Sequence, residues 1–308
     1  MVVDPDIKKI IEMMNSLGEF DYEKMDIKEI RKMMDENPLP TKIEDVLAVK
    51  DMSFIHDGFE IPLRFYIPKN AGKGLIIYLH GGGFVFGNIK SFDPLCRKIA
   101  NSSGCKVLSV EYRLAPEHKF PAAVEDAYQS YLWVRKNAGL LEIDPQNIAI
   151  AGDSAGGNLT ASVCLMIRDN NVPPPKLQVL FYPVLGPDFF TESLREYGEG
   201  YFLTSKQMEF FGNAYMNTVN DSLNPYFSPI LQKNHKELPE TIIVTAEHDP
   251  LRDQGEMYLS TLYNSGVKAT GIRARGMIHG FASFFSMIPA AENIVTMVWN
   301  LAGNKINS

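Results

Sequence analysis

The stretch Ile148-Ala-Ile-Ala-Gly-Asp-Ser-Ala-Gly-Gly-Asn158 decides how the rest of this chain is interpreted. An apolar run of strand length leads into a Gly-x-Ser-x-Gly pattern, and a helical pattern follows directly. A turn this sharp leaves no room for side chains two positions before and after the serine, where Gly152 and Gly156 stand. The pattern predicts that Ser154 is a nucleophile exposed at the top of a sheet. The alternative is a small-residue turn that only packs a helix on a strand.

Apolar, strand-like runs alternate with helical patterns on both sides of this motif. This alternation predicts an α/β fold, in which a mostly parallel sheet of eight strands is covered by helices on both faces. The first two strands flank Asp57-Gly58, a dipeptide typical of a two-residue hairpin turn. The predicted strands are 46–55, 60–67, 75–79, 106–112, 147–151, 177–182, 241–246 and 267–272, and the clearest helices are 155–168, 253–264 and one that begins at Pro121.

Two segments interrupt the alternation. Residues 184–228 are rich in Phe, Tyr, Gly and Pro and follow a strand, which is typical of a cap over the ligand crevice of an α/β fold. A peripheral helix pair is the alternative. Residues 1–42 are predicted to form short amphipathic, Met-rich helices, which would be either a lid or an arm packed on the surface. We therefore expect a catalytic core of residues 43–183 and 229–308, an N-terminal helical cap segment and a cap insertion.

A second glycine-rich stretch, His80-Gly-Gly-Gly-Phe84, follows the apolar run 75–79. Three consecutive glycines leave backbone N–H groups uncovered and allow positive φ, so this loop can cradle a developing alkoxide. Its partner would be the N–H of Ala155, the residue after the predicted nucleophile. We interpret His80 as an organiser of the loop whose side chain bonds locally. A phosphate-binding loop is excluded because the chain contains neither GxxxxGK[ST] nor GxGxxG.

A nucleophilic serine needs a base and a carboxylate that orients the base. The carboxylate is expected just beyond a late strand, where Glu247, Asp249 and Asp253 compete. Asp249 lies in the loop directly after the strand and is the preferred candidate, whereas Asp253 is expected to cap the next helix. His279 follows the last predicted strand and is the candidate base. The chain order Ser154, Asp249, His279 is the order expected of a triad built on this elbow motif.

Net charge, cysteine content and the spacing of possible metal ligands exclude other classes of protein. The 308 residues carry a formal net charge of −7 and no long basic run, so nucleic acid is not an expected partner. Three widely spaced cysteines without a CxxC pair argue against a disulfide framework and favour a reducing, cytoplasmic location. We find no secretory signal and no apolar run of membrane-spanning length. No HExxH or similar ligand spacing is present, so neither metal nor cofactor is expected.

Five motifs, taken in order, resemble those of a known family. The chain is similar to the hormone-sensitive-lipase-like esterases of the α/β-hydrolase fold, in the subgroup with a GDSAGG elbow. The matching motifs are HGGGF at 80–84, YRLAPEHKFPAAVEDA at 112–127, GDSAGGN at 152–158, DPLRDQG at 249–255 and HGF at 279–281.

The resemblance implies a role for individual residues. It also implies a cap formed by the N-terminal helices and the 184–228 insertion. The chain departs from the family pattern at Gln254, where an acid is common, and at His248, where an aromatic residue is common; neither should touch the chemistry. By resemblance the nucleophile is Ser154, the acid Asp249 and the base His279, and the oxyanion donors are the N–H groups of Gly82, Gly83 and Ala155.

The sequence therefore predicts a serine carboxylesterase that hydrolyses short- to medium-chain acyl esters of small molecules through an acyl-enzyme. Phe84, Phe86 and the aromatic cap suggest an apolar pocket, and Asp153 and Tyr182 are further candidate pocket residues. An amidase, a lactonase or an acyltransferase could use the same triad. A non-catalytic, receptor-like ligand binder is the alternative from another class, and a metal-dependent hydrolase lacks the ligand spacing. The sequence does not give the oligomeric state, and a homodimer is compatible with it.

Overall fold

The computed structural model describes residues 2–16, 26–37, 40–187 and 191–308, and eight strands of these ranges form one sheet. The strands are β1 (Ala48–His56), β2 (Phe59–Ile67), β3 (Leu75–Leu79), β4 (Lys106–Val110), β5 (Ile148–Asp153), β6 (Leu177–Phe181), β7 (Glu240–His248) and β8 (Ala269–Ile278). Their spatial order is β1-β2-β4-β3-β5-β6-β7-β8. The first pairings, β1 with β2 and β2 with β4, are antiparallel, and all later pairings are parallel. The predicted α/β class and mostly parallel sheet are confirmed.

The predicted hairpin joins β1 and β2. His56 pairs with Phe59, so the turn has two residues, Asp57 and Gly58. Their φ angles are 50° and 76°, in the left-handed region that a tight hairpin turn of this kind requires. A residue pair that tolerates positive φ therefore fixes the register of the whole hairpin.

Helices cover both faces of the sheet. The described helices are α1 (Pro5–Ser16), α2 (Ile27–Glu36), α3 (Asp93–Ser103), α4 (Ala122–Lys136), α5 (Ala155–Asp169), α6 (Glu192–Tyr197), α7 (Ser205–Tyr215), α8 (Arg252–Asn264) and α9 (Pro289–Asn307). One face of the sheet packs against α1, α3 and α9, through side chains such as Ile7, Leu95 and Trp299. The other face packs against α4, α5 and α8, through side chains such as Leu159 and Tyr258. Because both faces are covered, the central strands β3 to β6 are buried along their whole length.

The register of the sheet brings distant segments to one edge. Leu79, the last residue of β3, pairs with Gly152, so the glycine loop begins beside the serine turn. At the other side of the site His248 pairs with Ile278, across an irregularity in the ladder that follows Ala246. The residues that come next in the two strands, Asp249 and His279, therefore leave the sheet side by side.

The predicted division into core and caps stays a prediction. Helices α1 and α2 fall within residues 1–42, and α6 and α7 fall within 184–228. Residues 17–25, 38–39 and 188–190 of these two segments lie outside the described residues. Within the ranges given above, no helix is both long enough and apolar enough to cross a membrane.

Candidate active site

Ser154 occupies the turn between β5 and α5 with φ 53° and ψ −116°, a backbone conformation that side-chain-bearing residues rarely adopt. The two glycines of the motif allow this turn. A β-carbon on Gly152 would overlap the carbonyl oxygen of Gly156, and one on Gly156 would overlap the carbonyl oxygen of Leu79. The Ser154 N–H donates to the carbonyl of Phe181 at 2.9 Å, which fixes the turn to β6. The hydroxyl is thereby presented above the carboxyl ends of the parallel strands.

His279 lies between the serine and a buried carboxylate. Its Nε2 is 2.9 Å from Ser154 Oγ, and its Nδ1 is 2.8 Å from Asp249 Oδ2. The other carboxylate oxygen of Asp249 accepts from the N–H of Leu251 at 2.8 Å, which fixes the orientation of a side chain that is 0% exposed. The ring of Tyr182 packs on the imidazole with centroids 4.8 Å apart. The three side chains predicted from the sequence thus meet in one hydrogen-bonded row.

The other two candidate acids point elsewhere. Glu247 sits at the irregularity between β7 and β8, and its carboxylate accepts from the N–H of Gly276 at 2.8 Å. The expectation that Asp253 caps the next helix is wrong, because the N-cap residue is Leu251 and Asp253 lies in the first turn. Its carboxylate accepts from the N–H of Ser193 at 2.8 Å instead, so tertiary contact with α6 decides its position.

The glycine loop has a backbone that needs glycine. Gly82 and Gly83 have φ of 119° and 62°, and even Phe84 has a φ of 64°. A β-carbon on Gly82 would overlap the carbonyl of Phe86, so a side chain at this position would force the backbone to shift. In the part of the chain that the structure describes, no protein group accepts from the N–H of Gly82, Gly83 or Ala155. These donors are therefore available to a negatively charged oxygen.

Comparison with known proteins identifies the fold family. Residues 76–283 match the model of a protein family described as having the alpha/beta hydrolase fold. This match covers the glycine loop, the serine turn and the loops that carry Asp249 and His279. The chain belongs to the α/β-hydrolase family.

Similar members of this family are esterases. An arylesterase of Saccharolobus solfataricus is 38% identical over 284 residues, which cover 91% of this chain and 92% of that protein. An ethyl acetate hydrolase of Pseudomonas putida is 33% identical over 310 residues, covering 97% and 98% of the two chains. The crystal structure of EstFA in its iron-lacking apo form has a TM-score of 0.93 at 44% identity, covering 99% and 100%. The present hydrolase is a carboxylic ester hydrolase of the hormone-sensitive-lipase-like group.

Iron belongs to the description of EstFA. Across residues 2–16, 26–37, 40–187 and 191–308 of this hydrolase, no three His, Cys, Asp or Glu side chains lie together in a cluster that could hold a metal ion. The donor set of these described residues thus does not fit a bound iron.

His80 organises the glycine loop of the hydrolase, as the sequence predicts. Its Nδ1 donates to the carbonyl of Gly81 at 2.8 Å, and its ring stacks on Tyr112 with centroids 4.3 Å apart. The Tyr112 hydroxyl donates in turn to the His80 carbonyl at 2.7 Å. Complete burial lowers the pKa of His80 to about 4, so its ring is neutral at neutral pH.

Asp153 supports the loop from behind, whereas the sequence places it among the pocket residues. It is 4% exposed, and its Oδ1 accepts from the Tyr78 hydroxyl at 2.7 Å and from the N–H of Gly81 at 2.9 Å. Burial raises the pKa of this carboxyl to about 6, against the opposing effect of the two donors. Sequence reasoning missed Tyr78; the signal available was a tyrosine one residue before the end of the strand that enters the loop.

Phe84 and Phe86, the predicted pocket aromatics, are buried against α7. The ring of Phe84 stacks on Tyr215 with centroids 3.8 Å apart and an angle of 6° between planes. Phe86 meets Phe211 edge to face at 5.8 Å. The two aromatic side chains therefore join the glycine loop to the insertion.

Arg31 of α2 also reaches the loop, and no sequence signal pointed to it. Its Nε donates to the carbonyl of Val85 at 2.8 Å, and its Nη2 donates to the carbonyl of Ala115 at 2.7 Å. The guanidinium also pairs with Glu117 at 2.9 Å. One side chain thus fastens the N-terminal segment to two loops of the core.

Proposed function

We propose that this chain is a serine carboxylesterase that cleaves short- to medium-chain acyl esters through an acyl-enzyme on Ser154. The observation that carries the proposal is the position of the His279 ring, with one nitrogen 2.9 Å from Ser154 Oγ and the other 2.8 Å from Asp249 Oδ2. A nucleophile, a base and an orienting carboxylate need hydrogen-bond reach of this kind. The arylesterase and the ethyl acetate hydrolase among its relatives support small esters as substrates.

In the first step His279 Nε2 takes the hydroxyl proton of Ser154 as Oγ attacks the ester carbonyl carbon. Asp249 holds the tautomer that carries its proton on Nδ1, and it stabilises the imidazolium that forms. The imidazolium then gives the proton to the leaving alcohol as the bond from carbonyl carbon to alkoxy oxygen breaks. Water repeats the sequence on the acyl-enzyme and releases the acid.

The developing alkoxide is stabilised by backbone donors. It would lie against the N–H groups of Gly82, Gly83 and Ala155, and the last of these begins helix α5. The partial positive charge at a helix N-terminus adds to the stabilisation. Each donor of this kind contributes roughly 10²–10³-fold to the rate.

Substitution of Ser154 with Ala tests the nucleophile. We expect kcat on chromogenic acetate and butyrate esters to fall at least about 10³-fold, because no oxygen remains to form the acyl-enzyme. A fluorophosphonate probe should label the wild type and leave the variant unlabelled. Ser162→Ala is the matched control, since this serine lies on the same helix and donates only to Asn158. Near-normal turnover by Ser154→Ala would refute the assignment.

The same assays separate the remaining alternatives. Product analysis with amides, lactones and added alcohols distinguishes an amidase, a lactonase and an acyltransferase from an esterase. A receptor-like binder would bind esters without turnover. A marked preference for insoluble long-chain emulsions would contradict the proposed chain length.

A further inference from the structure

The side-chain amide of Asn158 connects the two ends of the 184–228 insertion. Asn158 lies on α5 one turn after Ser154 and is 2% exposed. Its Nδ2 donates to the carbonyl of Val184 at 2.9 Å and to the carbonyl of Phe227 at 2.8 Å. One amide therefore bonds to the chain where the insertion leaves the core and where it returns.

A second buried amide holds the same two ends of the insertion, which together are called the base of the insertion. Gln254 of α8 is 2% exposed, and its Oε1 accepts from the N–H of Leu185 at 3.1 Å. The carbonyl of Leu185 accepts from the N–H of Ile230 at 3.0 Å, just beyond the return of the insertion. The base of the insertion is thus fixed from two sides, by α5, which follows Ser154, and by α8, which follows the loop of Asp249.

The far part of the insertion rests on the oxyanion loop. Tyr215 of α7 stacks on Phe84 at 3.8 Å. Phe211 of α7 covers Gly83 so closely that a β-carbon on this glycine would overlap the ring. Helix α7 lies against the oxyanion loop and belongs to the insertion whose two ends are fixed. A shift at the base of the insertion therefore changes the space between α7 and the loop.

We propose that Asn158 is a positioning residue that sets the acyl-chain selectivity of the site. By fixing both ends of the insertion it fixes the distance of α7 from the oxyanion loop, and a longer acyl chain must fit beneath α7. This inference rests on the proposed function. The residue has to be a two-proton donor, because alanine leaves two partly buried carbonyl groups without this partner and aspartate sets carboxylate oxygen against them.

The test compares Asn158→Ala with Ser162→Ala as its control. The Ser162 hydroxyl donates to Asn158 Oδ1 at 3.4 Å, so its loss leaves both Nδ2 bonds in place. We measure kcat/KM for chromogenic acetate and hexanoate esters and take the ratio of the two values. Because two hydrogen bonds are lost, we expect the ratio to change about tenfold or more in Asn158→Ala and to remain within about threefold in Ser162→Ala. Asn158→Asp should change it further still. A purely structural loss of active protein lowers both values equally and leaves the ratio unchanged.

Labelling by a fluorophosphonate distinguishes a failure of the proposed function from a failure of the positioning role of Asn158. Absence of labelling at Ser154 in the wild type contradicts the proposed function. A folded, labelled Asn158→Ala variant with an unchanged ratio overturns the positioning role alone. Should Asn158→Ala not fold, Asn158→Ser replaces it, because a hydroxyl has one proton to donate in place of two; an altered ratio supports the inference and an unchanged ratio overturns it.

Discussion

Asp153 is next to Ser154, the proposed nucleophile, yet its carboxylate accepts hydrogen bonds from another loop. Its Oδ1 accepts from the Tyr78 hydroxyl and from the N–H of Gly81, so one atom of the serine turn holds both the strand that enters the glycine loop and the loop itself. The cost of burying this charge is partly offset by the two donors, both of which lower its pKa. The spacing between the serine turn and the glycine loop therefore depends on a buried carboxylate.

Tyr78→Phe tests this dependence. Removal of the hydroxyl takes away a donor that lowers the pKa of Asp153, so the carboxyl becomes protonated at higher pH. We expect the acidic limb of kcat/KM to move to higher pH and kcat to fall, while KM stays near its original value. Tyr131→Phe is the control, because the Tyr131 hydroxyl donates to the remote carbonyl of Pro173. Superimposable pH profiles of wild type and Tyr78→Phe would contradict the prediction.

Gly82→Ala tests the oxyanion loop. With φ at 119° and the carbonyl of Phe86 in the place of a β-carbon, alanine forces the loop to move. We expect kcat to drop by about 10²–10³-fold with little change in KM, because the donors serve the transition state more than the bound ester. Gly139→Ala is the control, since a β-carbon there meets no atom within 4 Å. Equal kcat values in the two variants would contradict this role of the loop.

At the scale of elements, α2 distinguishes the two interpretations of the N-terminal segment. Ile30 is buried in the core, while Arg31 donates to the carbonyls of Val85 and Ala115. These contacts favour an arm packed on the core over a freely opening lid. An arm tied to Val85 also holds the residue that follows Phe84 of the oxyanion loop.

Arg31→Ala should therefore loosen α2. We expect hydrogen exchange of the amides of residues 27–36 to accelerate, and the free energy of unfolding to fall by about 1–2 kcal/mol, since two charged-group hydrogen bonds and a partly exposed ion pair are lost. Lys32→Ala is the control on the same helix, because Lys32 only faces Glu36 at 3.8 Å. Unchanged exchange in α2 would show that the arginine does not hold the helix.

Element boundaries show where sequence patterns fail. The central strands are buried on both faces, so the ends of an apolar run such as Leu75–Leu79 coincide with the ends of the strand. Strand β8 extends to Ile278, six residues beyond the predicted 267–272, because it is the edge strand and continues through the exposed Arg273 and Arg275. Polar side chains on an open edge mask the pattern that identifies a covered strand.

At the scale of the molecule, the sequence could predict the fold and the candidate triad, because glycine-constrained turns and the order of the strands can be recognised from short sequence patterns. It could not predict the supports of the site. Asn158, Gln254 and Arg31 bind backbone groups that lie 26 to 84 residues away in the chain. Backbone N–H and carbonyl groups are alike at almost every position, so no residue pattern records such a contact. These supports become visible only when the chain is folded.

Two buried groups behind the oxyanion loop contribute oppositely to acid stability of the molecule. The pKa of His80 is lowered to about 4, so between pH 6.5 and 4 the unfolded chain binds a proton there that the folded chain does not. Acidification through this window therefore destabilises the fold. The pKa of Asp153 is raised to about 6, so from pH 6 down to about 4 the folded chain binds the extra proton and is stabilised. In the wild type the two effects oppose each other.

Single substitutions should uncover each effect in the free energy of urea unfolding at pH 7 and pH 4.5. Asp153→Asn removes the group whose protonation stabilises the fold, so its stability should fall on acidification by about 2 kcal/mol more than that of the wild type. His80→Asn removes the opposing group, and its stability should fall by about 2 kcal/mol less. Each variant is compared with itself at the two pH values, so a loss of packing common to both cancels. If both variants followed the wild-type pH dependence, the opposing protonation of these two buried groups would be refuted.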